Sequence, residues 1–258
     1  MGNAIKDRYN YESLRKLALD IKSVYSDFQT DGFLQATIDE TWEARELKDR
    51  TTTISATLGK YLPADFETAV GIMDQIVMNY GSWLDNYAGF FPGFVELYGR
   101  DEANWDISMA ALARYTQYAS SEFAVRWFII NHEERMMKQM YAWSKDENEC
   151  IRRLASEGCR PALPWGQALT GLKKDPAPIL PILRQLKADS SLHVRKSVAN
   201  NRNDISKTHP DLVMELAKDW YGKNAYTDWI VKHGCRTLLK KGSSEVLALF
   251  GYECAPSV

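Results

Sequence analysis

Apolar side chains recur along this chain at the spacing of an α-helix. The pattern of every third or fourth residue appears in separate segments, at Leu14, Leu17, Ile21 and Val24, at Ala69, Ile72, Ile76 and Val77, and at Leu212, Val213, Leu216 and Trp220. This spacing places apolar groups on one face of a helix. Alternating β-branched segments, which are typical of half-buried strands, are few. We therefore predict an all-α fold.

Turn signals separate the predicted helices. Proline, often beside an acidic residue or glycine, occurs at residues 62–65, 91–93, 158–164, 175–176 and 209–211. Proline cannot continue a helix from within and restricts the residue before it, so each position predicts a helix end or start. The pattern indicates a series of short helices.

A short helical phrase occurs four times after about residue 120. It reads SSEFAVRWF at 120–128, ENECIRRLA at 147–155, SSLHVRKSV at 190–198 and, more loosely, AYTDWIVKHG at 225–234. An aliphatic residue followed by a basic one marks the copies, which are 26, 43 and 36 residues apart. These intervals are close to the length of a two-helix repeat. We predict a single HEAT-like helical repeat solenoid over 1–258, with capping helices at 1–110, repeats at 111–251 and a tail at 252–258.

Charge is unevenly distributed along the chain. Residues 1–149 contain 15 Lys and Arg against 24 Asp and Glu, whereas residues 150–241 contain 17 against 8. A residue type that recurs at one point of each repeat forms a stripe along one surface of a solenoid. A basic stripe predicts a polyanionic partner, and roughly six to ten phosphate contacts are enough for salt-sensitive duplex binding. We therefore expect the repeats to bind double-stranded DNA.

The predicted DNA contacts combine cations and amides. Amide side chains commonly hydrogen-bond phosphate oxygens and fix the register of a duplex. The set is Arg152, Arg153, Arg160, Arg195, Lys196, Asn200, Asn201, Asn203, Lys207, His233, Arg236, Lys240 and Lys241, with Lys232 and Arg202 nearby.

Three carboxylates interrupt the basic region or its approach: Glu122, Glu157 and Asp204. An anion that faces DNA phosphates is unfavourable, so each one either pairs with a cation of the protein or awaits a cation of the ligand. Several structural roles stay open. Glu157 fits an ion pair, Asp204 fits a cap of the following helix, and Glu122 fits an intrahelical partner of Arg126.

Three separated segments carry a resemblance to a known family. They read IRRLASEGCRPALPWG at 151–166, VRKSVANNRNDISKTHPDLV at 194–213 and WIVKHGCRTLLKKG at 229–242. In this order and spacing they resemble the AlkC branch of the AlkC/AlkD family of HEAT-like alkylation repair DNA glycosylases, over about residues 88–251. The resemblance implies excision of 3-methyladenine, 3-methylcytosine or 1-methyladenine from duplex DNA in base excision repair. It implies hydrolysis of the N-glycosidic bond without a metal or organic cofactor.

The resemblance also implies roles for single residues. Glu157, Asp204 and Glu122 match the carboxylates that surround the lesion, and Trp165 matches the aromatic residue that contacts it. A carboxylate about 4 Å from a developing cation stabilises it by roughly 4 kcal/mol at an effective dielectric of 20, or about three decades in rate. An indole face also attracts cations. The structural alternative for Trp165 is packing between repeats.

Other features limit the possible functions. Four cysteines without a CxxC pair predict neither a disulfide framework nor a zinc site, and no apolar segment approaches the roughly 20 residues that span a bilayer. We expect a cytoplasmic monomer. Some members of the AlkC branch carry an immunoglobulin-like domain after the repeats, and we expect none here. Two alternatives stay open, a non-catalytic helical-repeat scaffold for damaged or branched DNA and a protein-binding solenoid.

Overall fold

The computed structural model describes residues 5–80 and 88–252. Every regular element in these residues is helical, which confirms the all-α prediction. None of the helices described combines the length and apolar character needed to cross a bilayer. The chain divides into two compact units, Met1–Val125 and Arg126–Val258. The prediction of one repeat domain stays a prediction, and its tail beyond residue 252, with Cys254, lies outside the described residues.

Six α-helices lie in the described residues of the first unit. They are α1 (Tyr11–Val24), α2 (Thr30–Thr37), α3 (Leu47–Tyr61), α4 (Phe66–Ile76), α5 (Phe90–Tyr98) and α6 (Trp105–Tyr115). Asn10 begins α1 with a capping box, and Asp65 caps α4 by accepting a hydrogen bond from the Thr68 amide. Capping satisfies amides that have no partner within the helix. The apolar face predicted for α1 is buried except at Val24, which is the last residue of the helix.

Aromatic side chains fill the core of the first unit. Phe90 and Phe91 of α5 pack against Tyr80, with ring centroids 5.8 and 5.3 Å apart. The turn expected at residues 91–93 is wrong, because these residues lie inside α5. Pro92 stands in the first turn of that helix, where an amide would have no intrahelical partner and a missing N–H costs little.

The second unit is built from paired helices. It contains α7 (Val125–Asn131), α8 (Glu133–Trp143), α9 (Glu149–Gly158), α10 (Thr170–Lys174), α11 (Leu180–Leu186), α12 (Leu192–Ile205), α13 (Pro210–Trp220), α14 (Ala225–Gly234), α15 (Arg236–Lys240) and α16 (Ser244–Phe250). Helix α12 packs between α9 and α14, and these three helices form one layer. Helices α8, α11 and α13 pack on α9, α12 and α14 respectively, and form the second layer.

The repeated phrase marks the start of each helix in the first layer. Asn148, Ser191 and Asn224 are the N-cap residues of α9, α12 and α14, and each side chain accepts a hydrogen bond from an amide of the first turn. The polar residues of the phrase therefore begin the helix, and its aliphatic residue enters the core. Ile151, Val194 and Ile230 are all buried.

Candidate functional site

The loop after α9 presents an exposed tryptophan. Trp165 is 85% exposed and has a φ angle of 60°. The left-handed region costs a non-glycine residue roughly 1–2 kcal/mol, and such strain is common at functional sites. Packing between repeats, the structural alternative for Trp165, is contradicted by this exposure. The loop holds a large aromatic group in water, where a ligand can meet it.

A single arginine joins two of the three predicted carboxylates. Arg160, on the same loop, donates from Nη1 to Oε1 of Glu157 at 2.6 Å and from Nε to Oδ2 of Asp204 at 2.8 Å. All three side chains are buried. Burial would lower the pKa of the Arg160 guanidinium, but the two carboxylates outweigh burial and raise that pKa above its usual value.

Two further cations, Arg153 and Lys207, contact these carboxylates. We call the five residues together the ion cluster: Glu157, Arg160, Asp204, Arg153 and Lys207. Lys207 Nζ lies 2.9 Å from Oδ1 of Asp204, and Arg153 Nη2 lies 3.6 Å from Oε1 of Glu157. Asp204 therefore has a cation on each oxygen. The role of Asp204 as a cap of the next helix is wrong, because it lies in the last turn of α12 and its carboxylate binds side chains.

The two carboxylates of the ion cluster differ in whether they have an oxygen that accepts no hydrogen bond from the described residues. Both cations that contact Glu157 contact Oε1, and among the described residues no hydrogen bond reaches its Oε2. Asp204 uses both oxygens. A carboxylate oxygen can accept more than one hydrogen bond. Glu157 is thus the carboxylate with an oxygen left for a ligand.

The third carboxylate, Glu122, belongs to the first unit. It is half-buried, and its Oε2 accepts a hydrogen bond from Ser120 Oγ at 2.9 Å. Its role beside the lesion stays a prediction.

The predicted DNA contacts differ widely in exposure. Exposed members are available to a ligand, half-buried members combine protein contacts with partial access, and buried members mainly stabilise the fold. Lys196, Lys207, His233, Lys240 and Lys241 are exposed, Arg152, Arg153, Arg195, Asn200 and Arg236 are half-buried, and Arg160, Asn201 and Asn203 are buried.

The repeated arginines of the phrase close the loops before their helices. Arg152 and Arg195 each donate from Nη1 to the backbone carbonyls of the residues five and six positions earlier, at 2.7–2.9 Å. Arg152 also binds the Asp189 carboxylate through Nε at 2.7 Å. In the second and third copies of the phrase the basic residue thus has a structural role, because it braces the turn that starts its helix.

Two residues near the basic stripe lie in the core. Asn201 donates from Nδ2 to the Ser156 carbonyl at 2.7 Å and so links α12 to α9. Arg202, expected near the stripe, is completely buried, with its guanidinium 4.7 Å from the centroid of the Trp220 ring. Burial lowers the pKa of Arg202 to about 10.

A cationic group adjoins the ion cluster on the side of α14. Arg236 donates to Oδ1 of Asn200 at 3.0 Å, and the imidazole of His233 stacks on Trp229 with centroids 5.0 Å apart. Burial lowers the pKa of His233, and the nearby Arg236 and Lys196 lower it further. Phosphate oxygens would relieve this crowding of positive charge, since an opposite charge favours the protonated imidazole.

One residue of the site was not singled out by sequence reasoning. In the sequence analysis Arg126 appeared only within the first phrase and as a candidate intrahelical partner of Glu122. In the structure its buried side chain donates to three backbone carbonyls of the segment around the loop: Gly158 and Arg160 at 3.0 Å and Gln167 at 2.6 Å. Nothing in the sequence near residue 126 signals these contacts, which join positions 32–41 residues apart.

These features define a helical-repeat protein with the chemistry to bind a polyanion and to stabilise a cation within it. The family model for the DNA alkylation repair enzyme matches residues 13–238. The chain therefore belongs to the DNA alkylation repair enzyme family, as the resemblance implied. It is 47% identical over 255 residues, 98% of its length, to the uncharacterized protein YhaZ of Bacillus subtilis (strain 168), and it covers 70% of that protein.

A solved structure also matches the fold. It is the Pseudomonas fluorescens alkylpurine DNA glycosylase AlkC bound to DNA that contains an abasic site analog. The match has a TM-score of 0.91 and 38% identity, and covers 97% of this chain and 69% of the other. The predicted helical repeat fold and the resemblance to the AlkC branch are confirmed.

Proposed function

We propose that this protein is a DNA glycosylase that removes alkylated bases from duplex DNA. The observation that carries the proposal is that one loop holds both a strained, exposed Trp165 and Arg160, whose guanidinium binds two buried carboxylates. Membership of the repair family and the similarity to a DNA glycosylase support it.

The proposed substrates are bases that already carry positive charge, such as 3-methyladenine, 3-methylcytosine and 1-methyladenine in DNA. An indole face attracts a cation, by about 0.5–1 kcal/mol when exposed and about 2 when desolvated. Trp165 is exposed in the protein alone and would be desolvated against DNA. A neutral base would gain none of this attraction, so Trp165 contributes to the preference for cationic lesions.

The proposed reaction consumes one water molecule. The N-glycosidic bond breaks, its electron pair stays with the base, and the cationic base leaves as a neutral molecule. The oxygen of water bonds to C1′ of the sugar, and the released proton passes to Glu157 and then to solvent. Because the leaving base needs no protonation, the protein has only to stabilise the positively charged sugar and to orient the water.

Glu157 is the proposed principal carboxylate. Its Oε2 accepts no hydrogen bond from the described residues, whereas both oxygens of Asp204 bind cations. Asp204 would then act by holding Arg160, and Arg160 by fixing Glu157. Glu122 is proposed as a third carboxylate near the lesion, as the resemblance implied.

Duplex binding is assigned to the accessible cations of the second unit. The exposed Lys196, Lys207, Lys240 and Lys241 and the half-buried Arg236 would neutralise phosphates. Each neutralised phosphate steepens the plot of log affinity against log salt by about 0.9. Five contacts predict a slope near −4.5 by the same rule. We propose that the protein acts in the cytoplasm, as an enzyme of duplex DNA, and that it is a monomer.

The test is base release from duplex DNA treated with a methylating agent, with the freed bases resolved by chromatography. We expect wild type to release 3-methylated or 1-methylated bases and Glu157→Gln to lose about 10²–10³-fold in single-turnover rate, as expected when one preorganised electrostatic contact is removed. Glu215→Gln, the same change at an exposed position of α13, is the matched control and keeps full activity.

A second candidate, a DNA-binding scaffold without catalysis, is favoured by one observation. The two buried carboxylates are already neutralised by cations of the protein. Salt-dependent binding to methylated duplex without release of any base would establish this second function in place of the first.

A further inference from the structure

We propose that Arg126 is a positioning residue for base excision, which sets the conformation of the loop at 159–169 before DNA arrives. The inference rests on the proposed function, and concerns how the loop holds Trp165 and Arg160. Arg126 lies outside the three segments that carry the family resemblance.

The contacts of Arg126 span both sides of the loop. Nη1 donates to the carbonyls of Gly158 and Arg160, where the chain leaves α9, and Nε donates to the carbonyl of Gln167, where the chain returns. Few backbone contacts otherwise close the loop: Gly166 donates to Leu163 at 3.0 Å, and Leu169 donates to Pro161 at 3.2 Å. One buried cation therefore joins the two ends of a segment with little regular structure.

The end of α9 makes this position favourable for a cation. The last carbonyls of a helix lack intrahelical partners and carry partial negative charge, so a guanidinium there is stabilised by hydrogen bonds and by the helix dipole. Arginine can serve three carbonyls because its planar group has five donors in fixed directions. Lysine has one nitrogen and cannot span these three oxygens.

The loop is packed onto Arg126 at the residue after the tryptophan. A Cβ atom at Gly166 would lie 3.2 Å from Nε and 3.3 Å from Cδ of Arg126. Glycine at 166 thus allows the loop to approach the guanidinium closely. Because Trp165 is adjacent and holds a left-handed φ of 60°, its direction depends on this contact.

The same residue also fixes the ion cluster. Arg126 holds the backbone carbonyl of Arg160, whose side chain binds Glu157 and Asp204. A loop displaced by 1 Å would move both the aromatic group and the bridging cation, and a misplacement of that size can cost about 10²-fold in rate. Arg126 would act on the reaction through residues that touch the lesion.

The experiment compares Arg126→Lys with Arg50→Lys. Arg50, in the first unit, is an equally buried arginine that also donates to three backbone carbonyls, those of Lys6, Tyr9 and Arg45. We expect both variants to lower the melting temperature, and only Arg126→Lys to lower the single-turnover excision rate, by about 10²-fold.

Two readouts separate positioning from a general loss of structure. The protein contains eight tryptophans. In protein labelled with 5-fluorotryptophan, the ¹⁹F resonance of Trp165, assigned with Trp165→Phe, should shift or broaden in Arg126→Lys and stay unchanged in Arg50→Lys. In a Trp165→Ala background, Arg126→Lys should lower the excision rate by a smaller factor than in wild type, because the part of the effect that acts through Trp165 is already lost and only the part through Arg160 remains.

Several results would overturn the proposal. One is an unchanged Trp165 resonance in Arg126→Lys, and another is an equal loss of excision rate in Arg50→Lys. The third is an Arg126→Lys variant that lowers the excision rate as much in the Trp165→Ala background as in wild type. If Arg126→Lys does not fold, Gly166→Ala perturbs the same contact from the loop side. It should shift the ¹⁹F resonance of Trp165 in the same way and lower the single-turnover excision rate by a similar factor. If wild type releases no base, the proposed function fails, and the ¹⁹F comparison still decides whether Arg126 orders the loop.

Discussion

Replacing Arg160 by methionine tests how strongly the ion cluster holds this site together. Methionine keeps most of the volume and removes the charge and the donors. At an effective dielectric of about 20, charges 2.6 and 2.8 Å apart attract by roughly 6 kcal/mol each. Desolvation of the ions offsets most of this attraction, and removal of one partner from a buried pair costs about 3–5 kcal/mol.

The remaining cations place the expected cost at the lower end of that range. Asp204 keeps Lys207 at 2.9 Å, and Glu157 keeps Arg153 at 3.6 Å. We therefore expect Arg160→Met to lose about 3 kcal/mol of unfolding free energy. At about 2–4 °C per kcal/mol for a chain of this size, the melting temperature falls by roughly 6–12 °C. Calorimetry at neutral pH and low salt measures both quantities.

A matched control and a double variant make this prediction specific. Lys207→Met removes a cation whose side chain is 49% exposed and should cost at most about 1 kcal/mol. Glu157→Gln should lower the melting temperature in wild type but raise it in Arg160→Met, because it removes a buried carboxylate that has lost its main partner. A melting temperature for Arg160→Met within about 2 °C of wild type, or the same effect of Glu157→Gln in both backgrounds, would refute the reasoning.

Two other predictions concern packing and pH. Gly234→Ala should cost about 1–3 kcal/mol of stability, because its Cβ would lie 3.1 Å from Cβ of Arg202 and 3.3 Å from a backbone oxygen of α12. Gly71→Ala, in a helix with open space around the new Cβ, should instead stabilise by about 0.5–1 kcal/mol, as thermal unfolding would show. Burial, with the nearby cations Arg236 and Lys196, lowers the pKa of His233 and so favours its neutral form. DNA phosphate favours the protonated form, so duplex affinity should rise as the pH falls from 7.5 to 6, by at most about tenfold per pH unit, and this dependence should weaken in His233→Gln.

Each of these two predictions has a contrary outcome. Equal effects of alanine at positions 234 and 71 would show that α14 does not depend on close contact with α12. An affinity for duplex DNA with the same pH dependence in wild type and His233→Gln, measured at constant salt, would place His233 away from the phosphates.

Sequence reasoning predicted the helical elements, the repeated phrase and the family, because these depend on successive residues. Helical periodicity, caps such as Ser191 and the order of motifs are local properties that can be read along one segment. The turn expected at residues 91–93 was the local error, since proline also fits the first turn of a helix. The basic residues of the phrase were recognised, but their loop-bracing contacts were not, because a cation near a carbonyl and a cation near a phosphate have the same sequence pattern.

Only the tertiary structure decided which residues meet. Arg160 bridges Glu157 and Asp204, 44 residues apart in the latter case, and Arg126 reaches Gln167 over 41 residues. The contact between Arg160 and Asp204 forms when α9 and α12 pack side by side, and its geometry depends on side-chain volumes in the shared core. For the same reason burial divides Asn201 from Lys207, which the sequence grouped together. The amino-acid sequence by itself determined the helices and their chemistry, whereas long-range packing decided which charges were buried, paired or left for DNA.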